Sequence, residues 1–475
     1  MLYSTRRDFL RATATAALIG PFASRAFAAP PLPRDADVVV IGAGAAGIAA
    51  ARRIADAGRR VVVVEAASRI GGRCHTDRTT FDMPFDRGAN FLFGPETNPL
   101  VRQARAAGQA LVPAPQSYKM RIGRRYARAG EAESFLAAVV RANRAIDTAA
   151  RGRADVPCAA VMPADLGEWS GATEFSLGAL RTGKDLKDLS AFDRGRMVER
   201  NAALICPDGI DGALERLAAG IPVALATPAT EVVWGRRGAA VVTPAGKISA
   251  RAVVVTASTN VIAAGVIRFS PELPKRYLDT VSKLSLGSFD RIVLDLPGNP
   301  LGLGQGERVV EQSNSSQTGL LFANIGGSSL CAVEIGGAFG RDLSGRGEAV
   351  MIAFAKDWLA KLYGSDLPKA VRKAAATRWN EQRYVRGAYS AAEPGAQPAR
   401  KILAEPLQNL FFAGEASEEN FWGTVGGAWM SGERAAASAL LTLGPDKPQR
   451  KSKRQPSKPV SSVEPVQRRE DPSHR

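Results

Sequence analysis

A strand, a glycine-rich turn, a helix and a second strand near the start of the chain constrain its fold more than any other feature. Residues 37–41 form a short apolar run typical of a buried strand, and Gly42, Gly44 and Gly47 follow in a GxGxxG pattern. An Ala-rich stretch then predicts a helix, and residues 61–64 predict the next strand. This order of elements indicates a dinucleotide-binding βαβ unit.

The three glycines and one acidic residue explain how such a unit holds its ligand. Gly42 allows a tight turn, Gly44 lets the backbone approach a pyrophosphate, and Gly47 lets the helix pack closely on the strand. The pyrophosphate would lie at the helix N-terminus, where free N–H groups and the helix dipole favour negative charge. Glu65 follows the second strand at a spacing typical of an acid that binds ribose hydroxyls, which disfavours NADP. The unit itself is compatible with either NAD or FAD.

Two further motifs decide between these cofactors. Residues 69–73 read RIGGR, and residues 411–437 read FFAGEASEENFWGTVGGAWMSGERAAA. Together they resemble the flavin-containing amine oxidase family, which includes monoamine, polyamine and spermine oxidases, L-amino-acid oxidases and histone lysine demethylases. Shorter matches extend the resemblance over about residues 36–442, and they lie at residues 207–218, 229–234, 253–258, 269–274 and 378–390. The resemblance implies FAD as the cofactor and an amine as the substrate.

The resemblance also implies a fold that combines α/β and α+β parts. A Rossmann-like FAD-binding domain would be interleaved with a substrate domain of mixed sheet and helix. The chain has 475 residues, of which 45% are hydrophobic, and this length suits two domains. Residues 36–95, 196–269 and 377–442 are predicted to form the FAD-binding domain, and residues 96–195 and 270–376 the substrate domain.

The family resemblance assigns FAD contacts to further positions. These are Ala46, Gly72, Arg73, Gly88, Ala89, Asn90, Val232, Gly414, Glu415, Thr424, Val425 and Ala428. The backbone of Val232 would meet the adenine, and the segment from Thr424 would bring a helix N-terminus toward the flavin ring, where its dipole stabilises negative charge. Ala388 stands where monoamine oxidases carry the cysteine that bonds the flavin. FAD is therefore predicted to bind non-covalently.

Five side chains are implied to act at the substrate. Trp379 and Tyr389 occupy family positions that flank the flavin, with ordinary aromatic core as the alternative. Tyr389 would form one wall of an amine cage, whereas Thr424 replaces the second tyrosine of monoamine oxidases. Arg291 replaces a lysine that holds water beside flavin N5, and its guanidinium is expected either to be solvated or to bind a substrate carboxylate. Phe93 replaces a histidine of polyamine oxidases, which argues against recognition of a polyamine nitrogen.

The predicted reaction is removal of hydride from the carbon next to an amine, followed by hydrolysis of the imine. Oxygen or another acceptor would take the electrons. No general base is assignable, so the amine would react in its neutral form and the rate should rise with pH. One alternative is a desaturase or dehydrogenase acting on C–C bonds, in a cavity lined by Phe91, Phe93, Phe421 and Trp422. Another is an FAD-binding protein without turnover that binds partners through a basic tail.

The two ends of the chain are predicted to be an export signal and a disordered tail. Residues 1–28 are typical of a twin-arginine export signal, with STRRDFL at residues 4–10 and an A-x-A site at residues 26–28. The apolar run between them is too short to span a bilayer, so we expect a periplasmic or secreted protein that uses the twin-arginine machinery and has no stable membrane insertion. Residues 443–475 are rich in Pro, Ser and charge and are predicted to be disordered.

The net charge of +17 comes with no nucleic-acid-binding motif, so no nucleic-acid partner is expected. The four cysteines are widely spaced without a CxxC, which leaves a metal site unsupported. A Cys158–Cys206 disulfide and four buried thiols are both compatible with an exported protein. The two histidines, His75 and His474, are too few to favour a Ser-His-Asp hydrolase.

Overall fold

The computed structural model of this chain describes residues 32–198, 202–396 and 398–444. The predicted export signal lies outside the described residues, and so does the predicted tail beyond Gly444.

A largely parallel sheet of eight strands is built around the strand that precedes the glycine-rich turn. Asp35–Ile41 lies between Val61–Val64 and Gly246–Val255, and these three strands run parallel. The predicted helix spans Ala45–Asp56, so the βαβ unit is confirmed. The other strands of this sheet are Val223–Ala224, Glu231–Gly235, Gly238–Thr243, Arg268–Ser270 and Leu410–Phe412.

Both faces of this sheet are buried. Val38 and Val40 pack toward the helix Ala45–Asp56 and the helix Val425–Leu443, whereas Val39 and Ile41 belong to a second apolar cluster on the opposite face. A parallel strand covered on both faces has no polar alternation, which explains the continuous apolar run in the sequence. Each fully buried aliphatic side chain of this kind stabilises the fold by about 1.5–3 kcal/mol.

The first and last helices of the described chain pack against each other over this sheet. At Gly432 an added Cβ would lie 2.1 Å from the carbonyl oxygen of Ala46, so only glycine permits this approach. Leu410–Phe412 pairs in parallel with residues 253–255, which places the following Gly414 at the same sheet edge as Gly42. The two distant sequence motifs therefore meet at the carboxyl ends of parallel strands, where open α/β sheets bind their ligands.

A second, mostly antiparallel sheet of seven strands lies elsewhere in the chain. Its strands, in spatial order, are Lys373–Ala376, Phe289–Asp295, Leu330–Gly336, Leu320–Phe322, Arg308–Glu311, Tyr118–Ile122 and Arg125–Tyr126. The helix Glu348–Tyr363 contributes Met351, Ala355 and Leu359 to the apolar cluster on one face. The helix Ala129–Ala149 contributes Phe135 and Ala138 to the cluster that holds Met120 and Val310.

Shorter elements complete the described fold. The remaining α-helices are Pro99–Ala106, Ser170–Leu177, Ala179–Thr182, Ala191–Gly195, Ile210–Leu217, Thr259–Ala263, Lys275–Lys283, Gly337–Arg346 and Ala399–Ala404. Two small sheets pair Thr76–Asp77 with Phe85–Asp86, and Ala203–Ile205 with both Leu92–Phe93 and Val112–Pro113. The mixed α/β architecture is confirmed. The domain boundaries stay a prediction, because the described residues up to Leu443 form one compact unit.

All four cysteines are buried free thiols. Cys158 and Cys206 belong to different apolar clusters, so the disulfide alternative was wrong. No helix in the described part of the chain is long and apolar enough to cross a membrane. Within residues 32–198, 202–396 and 398–444, no three His, Cys, Asp or Glu side chains converge to hold a metal ion.

Candidate active site

The glycine-rich turn forms a cradle in which each glycine has a different steric task. Gly42 has a φ of +101°, and an added Cβ there would lie 2.4 Å from Thr256 Oγ1. At Gly47 an added Cβ would lie 1.8 Å from the carbonyl oxygen of Gly42. At Gly44 an added Cβ would meet the Gly71 carbonyl oxygen at an ordinary van der Waals distance of 3.9 Å, and Gly44 lines a large cavity. Gly47 thus serves packing, whereas Gly44 leaves room for a ligand.

The helix Ala45–Asp56 begins at this cradle without a capping side chain and without an acidic residue in its first turn. The first N–H groups of a helix have no intrahelical partner, and they carry the positive end of the helix dipole. Ala45 and Ala46 both line a large cavity. These uncapped donors, together with the cavity beside Gly44, fit the pyrophosphate of FAD.

Glu65 stands at the end of the second strand and is buried. Its carboxylate accepts hydrogen bonds from the backbone N–H groups of Ala43 at 2.6 Å and Ala67 at 2.7 Å. A carboxylate has about four acceptor positions, so capacity remains for ribose hydroxyls. The two backbone bonds hold the carboxylate beside the glycine-rich turn, as the spacing of the motif predicts.

Arg73 and Glu415 join the two distant motifs through an ion pair. Arg73 Nη1 donates to Glu415 Oε1 at 2.9 Å, and Glu415 also accepts from the Ser390 backbone N–H, the Ser390 hydroxyl and the Gly423 backbone N–H. Burial would raise the pKa of the Glu415 carboxyl, but the charges of Arg73 and Arg400 and the bonds from Ser390 outweigh burial and lower it. Glu415 is therefore an ionised anchor for the loops around the flavin position.

A second buried ion pair extends this network, and the sequence offered no signal for it. Arg400 donates to Asp193 from Nε at 2.6 Å and from Nη2 at 2.7 Å, and from Nη1 to the Ser390 hydroxyl. The Arg400 guanidinium stacks on Trp422, with its centre 4.5 Å from the ring centroid. The bidentate geometry compensates two charges that would otherwise be costly to bury.

Arg291 is 5% exposed, and four of its five N–H donors bond to the protein. Nε donates to Glu334 at 2.9 Å, Nη1 donates to the carbonyl oxygens of Asp86 and Gly88, and Nη2 donates to Asn90 Oδ1. Only one of its five N–H donors is left, so it lacks the paired donors of a bidentate carboxylate clamp. Both alternatives drawn from the sequence, a solvated surface residue and a carboxylate clamp, were wrong. Arg291 instead fixes the segment that passes beside the flavin position.

Trp379 is buried at the wall of the cavity, where its indole N–H donates to the Arg87 carbonyl at 2.9 Å. Its backbone N–H donates to Asp290 Oδ1, which also accepts from the Thr377 hydroxyl. Burial raises the pKa of Asp290 to about 6. An added Cβ at Gly88 would lie 2.9 Å from the Trp379 ring, so this glycine lets the backbone pass close to the tryptophan.

Tyr389 and Thr424 lie at the same cavity but differ in what they offer a substrate. The Tyr389 hydroxyl donates to the Leu180 carbonyl at 3.1 Å, which holds the ring half-buried beside Phe289. The Thr424 hydroxyl donates to the Phe421 carbonyl at 2.6 Å and accepts from the Gly427 N–H at 2.9 Å. Thr424 therefore caps the helix Val425–Leu443, and Tyr389 presents a ring.

A single cavity of about 1450 Å³ connects the cradle with these aromatic residues. It is large enough for a dinucleotide and a small substrate, since pockets for one drug-sized ligand measure roughly 300–1,000 Å³. All the predicted site residues line it except Gly47 and Val232. Val232 is fully buried in a strand, paired with Val241 and Phe269, and its predicted backbone contact with the adenine stays a prediction. Ala229, three residues earlier, lines the cavity instead.

The acidic side chains among the described residues that line this cavity are Glu65, Glu334 and Glu415, and each already accepts hydrogen bonds from the protein. His75 also lines it. Burial, reinforced by the charges of Arg69 and Arg87, lowers the pKa of His75 to about 4. Phe91 and Phe93 lie in the lining, whereas Phe421 and Trp422 are absent from its described residues, so the cavity predicted for a desaturase is only half present.

The part of the cavity beyond Tyr389 contains residues that the motifs did not indicate. Arg308, Tyr118, Leu180 and Arg181 all line it. They come from two strands and one short helix, and these elements contain none of the family motifs. The sequence offered no signal for Arg308, which begins the short strand Arg308–Glu311 directly after Glu307.

Comparison with known proteins decides the family. The family described as flavin containing amine oxidoreductase matches residues 45–151 and 141–440, which is most of the chain. This chain belongs to that family. Polyamine oxidase 2 of Arabidopsis thaliana is 26% identical over 450 residues, covering 86% of this chain and 89% of the relative. Lysine-specific histone demethylase 1B of Mus musculus is 25% identical, covering 84% of this chain. The chain spans about half of that demethylase, 52% of its length.

Solved structures of amine oxidases share the fold of this flavin-dependent family member. Putrescine oxidase bound to putrescine has a TM-score of 0.70 and 19% sequence identity, covering 86% of this chain and 99% of that one. Cyclohexylamine oxidase from Brevibacterium oxydans has a TM-score of 0.70 and 20% identity, covering 85% and 98% of the two chains. At these identities the likeness establishes the fold, and the substrate has to be argued from the cavity.

Proposed function

We propose that this chain is an FAD-dependent amine oxidase or amine dehydrogenase. The observation that carries the proposal is the single cavity that joins a pyrophosphate cradle at Gly44 to the half-buried ring of Tyr389. Membership of the flavin-containing family supports the cofactor, and the polyamine, putrescine and cyclohexylamine oxidases among its relatives support the amine.

Residues of this chain would contact FAD both at its pyrophosphate and ribose and at its flavin ring. The first turn of the helix Ala45–Asp56 would bind the pyrophosphate, and Glu65 would accept from the ribose. The segment 88–90, held by Arg291, would lie beside the ring, and the N-terminus of the helix Val425–Leu443 would stabilise negative charge on it. Bound FAD would supply the acceptor for a hydride from the carbon next to the amine.

FAD would be held without a covalent bond. Ala388 has no nucleophile, and Cys74 is the cysteine found among the described residues of the cavity wall. Burial raises the pKa of the Cys74 thiol to about 12, so the reactive thiolate is scarce at neutral pH. Denaturing the protein should therefore release the flavin into solution, which gel filtration in denaturant would detect.

The substrate would react as a neutral amine without a protein base. The three cavity carboxylates are occupied by the protein, and His75, with a pKa of about 4, is too weak a base to match neutral pH. The residues Trp379, Tyr389 and Phe93 would instead orient the amine and exclude water. We expect kcat/KM to rise with pH through the pKa of the amine, and a flat profile over a wide alkaline range would contradict this.

The decisive experiment is anaerobic mixing of the flavin-loaded protein with a panel of amines and amino acids. Loss of the visible flavin absorbance with an amine supports the proposal, and recovery on admitting air identifies oxygen as an acceptor. If no amine or amino acid bleaches the flavin, the proposal fails. Bleaching by an apolar alkene precursor alone would support the desaturase instead.

We also propose that the protein is exported through the twin-arginine pathway. The proposal rests on Arg6, Arg7 and the A-x-A sequence at residues 26–28. Replacing both arginines by lysine should keep the protein in the cytoplasm, which cell fractionation would measure. Unchanged fractionation of this double variant would contradict the proposal.

A further inference from the structure

Arg308 is a half-buried guanidinium in the wall of the substrate end of the cavity. Nη1 donates to the Pro115 carbonyl at 3.0 Å. Within the described chain Arg308 makes no ion pair, in contrast to Arg291 and Arg73 at the flavin end. A positive charge without a carboxylate partner, placed in a ligand cavity, indicates a ligand of opposite charge.

Three aromatic rings surround this guanidinium at cation–π distances. Its central carbon lies 5.2 Å from the ring centroid of Phe91, 5.4 Å from that of Tyr118 and 5.1 Å from that of Phe322. A guanidinium carries five N–H donors, and the Pro115 carbonyl accepts from Nη1. Donors therefore remain for a bidentate bond to a carboxylate.

The charged side chains of the cavity argue against a diamine or polyamine as the substrate. A diamine or polyamine needs an uncompensated carboxylate for its second ammonium, whereas Glu334 and Glu415 are ion-paired with Arg291 and Arg73, and Glu65 is held beside the glycine-rich turn. Arg308 would also repel that ammonium. Between Arg308 and the flavin end the wall is apolar, with Phe91 5.8 Å from Phe93 between ring centroids.

We propose that Arg308 binds a carboxylate on the substrate, so that this chain oxidises an amine that is also an acid. The inference rests on the proposed amine oxidation and adds the substrate class. Arg308 is a specificity residue, because its guanidinium contacts the substrate away from the carbon that reacts. Phe91, Tyr118 and Phe322 surround the guanidinium at cation–π distances.

The test uses substrate pairs that differ only in the carboxylate. An α-amino acid and ω-amino acids of graded chain length are each compared with the alkylamine that lacks the acid, and with the diamine that replaces it. At least one amino acid should exceed its partner amine by about tenfold or more in kcat/KM, as expected for a charged hydrogen bond. The matching diamine should be the poorest of the three.

Substitution of Arg308 separates binding from turnover. Arg308→Gln should raise KM for the preferred amino acid about tenfold or more, with kcat and the alkylamine values changed by less than about twofold. Arg308→Lys should restore part of the preference, because it keeps the charge but loses the fork. Arg276→Gln, an exposed arginine on the helix Lys275–Lys283, is the control and should retain the preference.

A binding measurement keeps the inference distinct from the proposed function. Aliphatic carboxylates without an amine are titrated into the flavin-loaded protein while its visible spectrum and melting temperature are recorded. Saturable binding that Arg308→Gln weakens about tenfold supports the carboxylate site even if no amine bleaches the flavin. Alkylamines that react as well as every amino acid, or carboxylate binding that is absent in the native protein, would overturn the inference. If Arg308→Gln loses its flavin, Arg308→Lys and the titration of the native protein decide.

Discussion

The two ends of the cavity are built from different parts of the polypeptide. The cradle is made by backbone, from Gly42 and Gly44, the uncapped start of a helix and a glutamate within one short stretch of sequence. The substrate end is made by side chains such as Tyr118, Arg308 and Tyr389, which lie far apart in the chain. Backbone geometry leaves little freedom for substitution, whereas the side-chain wall can change its charge without changing the fold. The cradle therefore indicates the cofactor, and the wall decides the substrate.

The largest effect should follow from filling the cradle. Gly47→Ala would place a Cβ 1.8 Å from the Gly42 carbonyl oxygen, so the helix must move away from the strand. We expect loss of bound flavin and destabilisation by about 3 kcal/mol or more. Flavin content and denaturant unfolding measure both. Gly345→Ala, in a helix with open space around it, should change stability by less than about 1 kcal/mol. A flavin-loaded Gly47→Ala of native stability would refute the packing argument.

The second largest effect is expected from Glu415, the buried carboxylate that joins the two motifs through Arg73. Glu415→Gln removes the negative charge that faces Arg73 and Arg400, and we expect destabilisation by about 2–3 kcal/mol because Arg400 keeps its bond to Asp193. Since the folded state lowers the pKa of Glu415, its contribution is present above the ordinary pKa of a glutamate and is lost as pH falls through the folded pKa. Unfolding curves at several pH values should therefore show less acid sensitivity in the variant.

The matched control for this prediction is Glu419→Gln. Glu419 pairs with Arg196 at the surface, where its side chain is 40% exposed, so its loss should cost less than about 0.5 kcal/mol. Equal destabilisation by the two substitutions would contradict the special role of the buried anchor.

At the substrate end, removing a ring should affect turnover and leave stability almost unchanged. Tyr389→Leu keeps an apolar side chain but removes the ring that borders the cavity, and we expect kcat/KM for the amine to fall about tenfold. Tyr389→Phe keeps the ring and loses the hydroxyl that bonds to the Leu180 carbonyl, so the fall in kcat/KM should be smaller. Rapid mixing under anaerobic conditions measures both rates. Equal losses in the two variants would assign the effect to the hydroxyl.

The smallest effect concerns acid stability at the cavity wall. Burial and two arginines lower the pKa of His75 from its ordinary 6.5 to about 4, so the unfolded chain binds a proton that the folded chain does not. This contribution to stability is present above about pH 6.5 and is lost as pH falls toward 4. His75→Gln should thus show a smaller drop in melting temperature between neutral and acidic pH. An unchanged drop would show that folding does not lower the pKa of His75.

Much of the cradle was predictable because its elements are consecutive in the chain. The strand, the helix and Glu65 follow one another, and the structure places them as expected. Val232 shows what a matched motif leaves undecided. Its strand pairs on both sides and buries its side chain, whereas Ala229, which precedes the strand, lines the cavity. Strand pairing and register decide which side chains face a cavity, and a motif alone does not reveal them.

Arg291 and Arg308 show the same limit for side chains. In the sequence each arginine directly follows an acidic residue, Asp290 or Glu307, but neither of these is its ion-pair partner among the described residues. The fold brings Glu334 and Asn90 to Arg291, whereas among the described residues it brings three aromatic rings and no carboxylate to Arg308. The donors of Arg291 are therefore used within the protein, whereas those of Arg308 remain available to a ligand.

The sequence by itself determined the cofactor cradle, the family and the absence of a cysteine at position 388. Consecutive residues specify these features, because backbone dihedrals, helix ends and strand burial depend on local order and composition. The tertiary structure alone decided which charges in the cavity are paired, since those bonds join residues far apart in the chain. Arg308 is left without a carboxylate partner in the described part of the chain, and its positive charge favours amines that carry an acid as substrates.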